Sequence, residues 1–375
     1  MALTPLHAVA HDDIEAIRRA YAEARAGASA FMVTADGRLP ADIAPEVEPG
    51  VAVVVQTSGS TDHPKRVALT VDALEASASA TRERIGAARW ILAVPTTYIA
   101  GLMVVVRSIF DARGLVVLPS GRFTVEALAT AVRDAGREHP LAVSLVPAQL
   151  GTVVEALESD RTRWAGLADI DTILVGGQAL AADLRARASD LGLRIVRTYG
   201  SAETAGGVVY DGRPIGDTAI ESVDGILQIA SSSLALGYLN DEGRTAETFV
   251  TRGGRRWFRT TDVGTVVDGV VTVTGRADDI IISGGIKVSL AELERLVQTL
   301  ESTAHATWFA EPTWGQVPAV VSEHELDRAA VRDLVEATLG KAARPYRFVV
   351  SPIPRLESGK PDRRELFAMV ERATD

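Results

Sequence analysis

The chain has 375 residues, with 39 Lys and Arg against 49 Asp and Glu, a formal net charge of -10 and no cysteine. That length favours two or three units with sizeable cores, and the acidity argues against broad binding to nucleic acid or anionic membrane, although an acidic protein can carry a local basic pocket. Without thiols there are no disulfides, thiolate nucleophiles or Cys-based metal sites. No apolar run is long enough to span a membrane, and residues 1–30 lack a signal-peptide core. The expectation is a soluble cytoplasmic protein.

In chain order, residues 12–26 read as a helix, followed by a loop rich in proline and acid up to residue 50. Short β-branched runs at 51–55, 90–94, 114–118, 141–146, 172–175 and 194–198 then alternate with helix-like stretches, one beginning near Asp72. This alternation predicts α/β layers with a largely parallel sheet. After Gly206 the texture changes to short strands at 208–210, 225–230, 257–259, 263–267 and 270–274, divided by Gly, Asp and Asn turns: a β-rich subdomain. Beyond residue 275 the order becomes strand, helix (289–300), strand (306–310), strand (319–322), helix (326–339) and a basic tail, which places a domain boundary at 275/276. No internal repeat is evident.

Chemistry concentrates in a few stretches. Thr57-Ser58-Gly59-Ser60-Thr61-Asp62-His63-Pro64-Lys65 follows a β-rich run and precedes a helix, a setting in which backbone N–H groups and hydroxyls converge on one anion. It is not a Walker A loop, because the lysine lies between Pro64 and Arg66. The plain alternative is a solvated Ser/Thr/Gly turn. Tyr199-Gly200-Ser201-Ala202-Glu203-Thr204 combines a glycine that lets backbone approach a flat ligand with a carboxylate suited to a hard cation. Gly176 and Gly177 follow the strand that ends at Val175.

These segments resemble the signature motifs of adenylate-forming enzymes, the superfamily of acyl-CoA synthetases, luciferases and peptide-synthetase adenylation domains. The resemblance implies a large N-terminal domain, residues 1–275, and a small mobile α+β lid, residues 276–375. It implies ATP, Mg²⁺ and coenzyme A as reactants and cofactors, with Thr57, Ser58, Gly59, Ser60, Thr61 and Lys65 on the phosphates. Gly176, Gly177, Tyr199 and Gly200 would line the adenine, and Glu203 would serve the metal. Asp62 and Arg66 stand where the pattern has glycine, and Ala202 stands where it has Thr or Ser.

The likeness continues through the second half of the chain. Trp257-Phe258-Arg259-Thr260-Thr261-Asp262 is similar to the family's aromatic-x-x-Thr-Gly-Asp segment, with Thr261 in the glycine position, which implies that Asp262 binds the ribose hydroxyls. Residues 275–294 carry the most specific match. There Arg276 would contact ribose or phosphate, Asp278 would be the hinge, and Gly284, Gly285 and Lys287 would face the active site beside the pantetheine of CoA. The plain reading of that segment is strand, turn and helix with an N-cap at Ser289, and both readings can hold. Pro354 to Arg363 resembles the C-terminal Pro-x-x-x-x-Gly-Lys loop. It implies that Lys360 bridges the attacking carboxylate and the α-phosphate, offsetting the repulsion of two anions.

The phosphate loop begins at residue 57, and this short N-terminal region is similar to that of compact o-succinylbenzoyl-CoA synthetases. So is the stretch from Pro95 to Ser108, in which Thr97 and Tyr98 occupy the His-His positions. Tyr98, Gly101 and Ala202 are the acyl-substrate residues that this resemblance implies. A tyrosine keeps the packing and one hydrogen bond but carries no positive charge near neutral pH. Arg107 is the candidate cation for a second substrate carboxylate, its plain alternative being a solvated arginine on a helix surface. None of the six histidines has metal-site spacing. The expected activity is an ATP-dependent, AMP-forming acid-thiol ligase acting on o-succinylbenzoate in menaquinone biosynthesis. The alternatives are a ligase or adenylating enzyme for another aryl or small carboxylic acid, and a catalytically weak relic that binds acyl-adenylate or nucleotide. The expected partner is a small carboxylate, with no nucleic acid and no membrane span; a homodimer is compatible with the sequence.

Overall fold

Helix caps follow the sequence closely in the computed structural model, which describes residues 2–57, 65–356 and 360–373. Asp13 accepts the Ala16 N–H ahead of helix Ile14–Arg25, Thr70 caps Val71–Ile85, Ser289 caps Leu290–Val297, and Asp362 caps Arg363–Arg372. In each case a short polar side chain satisfies a backbone donor that the first turn leaves open.

The chain divides into two units. The first comprises Met1–Ile220, Gln228–Arg259 and Asp268–Val271; the second comprises Glu221–Leu227, Thr260–Val267 and Thr272–Asp375. In the first unit the α/β layers are built on two sheets rather than one. A six-stranded sheet contains Thr4–Ala10, Ala30–Thr34 and Glu46–Val47, which lie in the region expected to hold only a helix and a loop. These strands are short, and the first carries a proline and a histidine, so alternation alone does not mark them. A seven-stranded sheet runs parallel through Leu115–Val117, Arg89–Leu92, Leu141–Leu145, Thr172–Val175 and Ile195–Ser201, then turns antiparallel at Gly206–Tyr210. The run at 208–210 therefore belongs to this sheet and not to the β-rich subdomain.

Helix Ile14–Arg25 packs on the first sheet and against helix Ile99–Asp111, which in turn packs on the second sheet. Covered on both sides, Ile99–Asp111 buries Gly101 through Ser108 without a polar face. The opposite face of the second sheet is closed by a core that includes Leu128, Val143, Leu150, Val153 and Ile173.

A five-stranded sheet holds Ala219–Val223, Ile226–Ala230, Arg255–Val267, Phe249–Arg252 and Val270–Arg276, so the expected pair of strands at 257–259 and 263–267 is one continuous strand. In the second unit another five-stranded sheet pairs Ile280–Ser283 with Ile286–Ser289, and His305–Glu311 with Gly315–Ser322. The region read as a basic tail adds a strand, Arg347–Val350, parallel to Gly315–Ser322, and helix Arg363–Arg372. Leu366 and Val370 bury that helix against Phe309 and Val321, a packing that its many charges hide in sequence. Among the described residues no helix is long and apolar enough to cross a membrane.

Candidate active site

In the first unit, strand Val53–Thr57 pairs antiparallel with Lys65–Leu69, and Thr57 lies opposite Lys65. The ends of the Thr57–Lys65 segment are thus held together, with the Thr57 hydroxyl donating to the Lys65 carbonyl at 3.4 Å. Ser58, Gly59, Ser60 and Thr61, with Asp62, His63 and Pro64, lie outside the described residues. Arg66 donates twice to Asp42, both bonds at 2.8 Å. That bidentate pair accounts for an arginine where a glycine is usual: its charge is spent on a neighbouring carboxylate.

The Tyr199–Thr204 segment is shaped by close backbone approaches. The ladder between Ile195–Ser201 and Gly206–Tyr210 shifts register between Tyr199 and Gly200. A Cβ on Gly200 would fall 2.0 Å from the Gly206 carbonyl oxygen, and one on Gly176 would fall 2.3 Å from the Thr198 hydroxyl. Gly177 has φ +81°, in the left-handed region that glycine adopts at no steric cost. Ala202 and Glu203 then open a short 3₁₀ turn, both buried. Ser201 N–H donates to the Thr204 hydroxyl, which donates to the Gly206 carbonyl; from helix Val71–Ile85, Ser77 donates to Ala205. Glu203 is therefore carried on a turn tied down at several points, and the Tyr238 hydroxyl donates to its Oε1 at 2.9 Å. Tyr238 escaped the sequence reading, because the contact spans 35 residues and no local pattern marks it.

Tyr98 is the N-cap residue of Ile99–Asp111, without a side-chain cap bond. Gly101 is required by packing: a Cβ there would lie 2.2 Å from the Pro95 carbonyl oxygen. Arg107 is not a surface residue. It is 5% exposed, its guanidinium lies 5.4 Å from the Trp90 ring centroid, and its Nε has no hydrogen-bond partner among the described residues. A cation buried with an open donor is suited to an incoming anion.

In the second unit Arg276 gathers the predicted residues. It donates to both carboxylate oxygens of Asp278 at 2.8 and 2.7 Å and to the Thr261 hydroxyl at 2.8 Å, and it lies 3.8 Å from Asp262. The Asp278 hydrogen bond is the main cause holding its pKa above the ordinary arginine value. Gly284 and Gly285 form the two-residue turn between Ile280–Ser283 and Ile286–Ser289, with φ of +57° and +80°, the signs that a type I′ hairpin needs. A Cβ on Gly284 would meet the Trp314 ring at 2.7 Å, whereas one on Gly285 would meet nothing, and Lys287 is exposed on the following strand.

Lys360 closes a loop whose Glu357, Ser358 and Gly359 lie outside the described residues. The Leu356 N–H donates to the Lys360 carbonyl at 2.8 Å, and Arg355 bridges to Pro361. Burial, then the charge of Arg276, lowers the Lys360 pKa from its usual value. Three residues on, Arg363 donates to Glu294 at 2.8 and 3.1 Å and to the Ala306 carbonyl, fixing the C-terminal side of the loop. Among the described residues no group of three or more His, Asp or Glu could hold a metal by itself. Glu203 fits the other way a hard cation is held, by one carboxylate together with phosphate oxygens.

The sequence profile of the AMP-binding enzyme family matches residues 7–236. The chain belongs to this family. Among its relatives, a probable 2-succinylbenzoate–CoA ligase of Mycobacterium tuberculosis is 37% identical over 337 residues, 86% of this chain and 85% of that protein. In fold, the chain matches the solved o-succinylbenzoate CoA synthetase of Bacillus subtilis in complex with its acyl-adenylate intermediate OSB-AMP. Their TM-score is 0.73 at 21% identity, over 96% of this chain and 81% of that one. The amide bond synthetase McbA of Marinactinospora thermotolerans matches with a TM-score of 0.74 at 24% identity, over 96% and 78%. This AMP-binding enzyme thus has the adenylate-forming fold.

Proposed function

We propose that this AMP-binding enzyme is an ATP-dependent 2-succinylbenzoate–CoA ligase of menaquinone biosynthesis. The observation that carries the reading is the 37% identity to a ligase of that name over 86% of the chain. It is supported by the buried Arg107 in the segment that resembles the acyl pocket of those enzymes.

In the first step the substrate carboxylate attacks the α-phosphate of ATP, forming acyl-adenylate and releasing pyrophosphate. Thr57 and Lys65 flank the loop on the β and γ phosphates; Tyr199, Gly200, Gly176 and Gly177 line the adenine. Glu203, together with phosphate oxygens, would hold Mg²⁺, which when bound would neutralise charge on the departing pyrophosphate. Asp262 accepts from the ribose hydroxyls and is oriented by Arg276. Lys360 offsets the repulsion between the carboxylate and the α-phosphate, and a cation already partly stripped of water loses less solvation on meeting that anion pair. Arg107 takes the second carboxylate, and Tyr98 and Gly101 form the nearby wall.

In the second step the CoA thiol attacks the adenylate carbonyl and AMP leaves. Asp278 serves as the hinge between residues 1–275 and the 276–375 lid, whose movement withdraws Lys360 and presents Gly284, Gly285 and Lys287 to CoA. Gly285 fits this role because the space where its Cβ would stand is open. Cytoplasmic ATP and CoA are the co-substrates.

The half-reactions test the assignment. Lys360→Ala should lose adenylation by ~100-fold or more, the scale for removing one charge-stabilising group. It should retain CoA transfer to supplied acyl-adenylate. Equal loss of both would remove Lys360 from this role.

A further inference from the structure

The Tyr238 hydroxyl reaches Glu203 from strand Gly237–Tyr238, which pairs with Lys65–Leu69 through Gly237 opposite Ala68 and Tyr238 opposite Val67. The same segment holds the turn from behind: the Ala235 N–H donates to the Glu203 carbonyl at 2.8 Å. Tyr238 is itself fixed. It is buried, its N–H donates to the Thr245 hydroxyl at 2.9 Å, and its ring lies 5.9 Å from that of Phe249. The Lys65 ammonium sits 5.9 Å from the ring centroid and the Arg244 guanidinium sits at the same distance. One aromatic ring thus touches the lysine that ends the phosphate loop, while its hydroxyl grips the acidic residue.

The chemistry of that grip is specific. A glutamate carboxylate turns broadly about its last torsion, so a buried Glu presents a cation with a spread of orientations unless something holds one oxygen. A phenol gives a single donor and leaves the carboxylate's other lone-pair sites for a cation.

We infer that Tyr238 is a positioning residue for Glu203, orienting its carboxylate to receive the divalent cation of the metal–nucleotide complex. The inference rests on the ligase reading only in taking Glu203 as the metal-binding carboxylate. Partners that orient a metal-binding side chain typically change metal affinity by about 10- to 100-fold when removed.

The test uses the full chain, Mn²⁺ as the probe cation and α,β-methylene-ATP as a nucleotide that cannot be adenylated. Free Mn²⁺ is counted by electron paramagnetic resonance, and nucleotide affinity without metal is measured alongside. Tyr238→Phe keeps the ring, and so the contacts to Lys65, Arg244 and Phe249, and removes the hydroxyl that bonds Glu203 and Thr248. It should weaken Mn²⁺ binding to the nucleotide complex by about 10-fold and leave metal-free nucleotide affinity within twofold. In a Glu203→Gln background the same change should have no further effect, because Tyr238 acts through that carboxylate. The inference is overturned if Tyr238→Phe leaves Mn²⁺ affinity within twofold while Glu203→Gln weakens it, a result that leaves the ligase reading in place. It is overturned as well if nucleotide affinity falls equally with and without metal, which marks a structural role. If Glu203→Gln itself changes nothing, the metal assignment of Glu203 fails along with the inference.

Discussion

Replacing Arg363 by alanine isolates the ion pair that fastens the lysine loop to its unit. Glu294 accepts from Arg363 twice and from the Ala306 N–H at 2.9 Å, and His305 Nδ1 lies 3.2 Å away. Burial raises the Glu294 pKa, but the proximity of His305 and then of Arg363 outweighs it and holds the carboxyl at about 2 against an ordinary 4.5. At ~1.4 kcal/mol per unit that gap is worth roughly 3 kcal/mol. The sign follows from a depressed acid: the stabilisation is full above about pH 4.5 and is lost as pH falls toward 2. Arg363 shares the effect with His305 and a backbone donor, and its side chain is 45% exposed, so solvent screening leaves it a part of roughly 2 kcal/mol. Arg363→Ala should therefore cost the second unit about 2 kcal/mol at pH 7, falling to roughly half by pH 3 as the variant's Glu294 takes up its proton first. With two units, a global unfolding curve is not a single equilibrium. The assay is pulse-labelling hydrogen exchange through a urea series, read on peptides from residues 290–311 after equilibration at each pH. A loss below ~0.5 kcal/mol at pH 7, or one equal at both pH values, would refute the reasoning.

Two further substitutions probe the first unit. Gly101→Ala forces a methyl to within 2.2 Å of the Pro95 carbonyl oxygen and 2.6 Å of that of Val94. Backbone cannot swing aside as a side chain can, so a stability loss of about 1–3 kcal/mol should appear as a lower melting temperature, and an unchanged one would show that the helix start relaxes freely. Arg107→Ala should raise KM for 2-succinylbenzoate by about 10-fold or more while KM for ATP stays within twofold, the pattern of a lost ground-state contact. An unchanged KM for the acid would remove Arg107 from the carboxylate site.

Local signals were legible and distant ones were not. The N-cap at Ser289 and the paired glycines at 284 and 285 are written in adjacent residues, and the structure has a capping bond at Ser289 and left-handed φ at both glycines. The gathering of Asp262, Thr261 and Asp278 around Arg276 follows from a hairpin whose arms lie close in sequence. By contrast, Arg107 reads as polar and therefore exposed, and only the covering of its helix on both sides reverses that. Tyr238 and Arg363 act across 35 and 69 residues, and neither carries a local mark of its partner. The first three strands escaped for a similar reason: their pairing with one another and with Val53–Thr57 stabilises them more than their composition does.

The central claim is the reaction itself, and pyrophosphate release measures it most directly. Purified enzyme would be given ATP and Mg²⁺ with 2-succinylbenzoate, benzoate or a medium-chain fatty acid, each with and without CoA. The account predicts release with 2-succinylbenzoate alone among the three, and a thioester only when CoA is present. Release with a different acid, or silence with all three from folded protein that binds ATP, would contradict it.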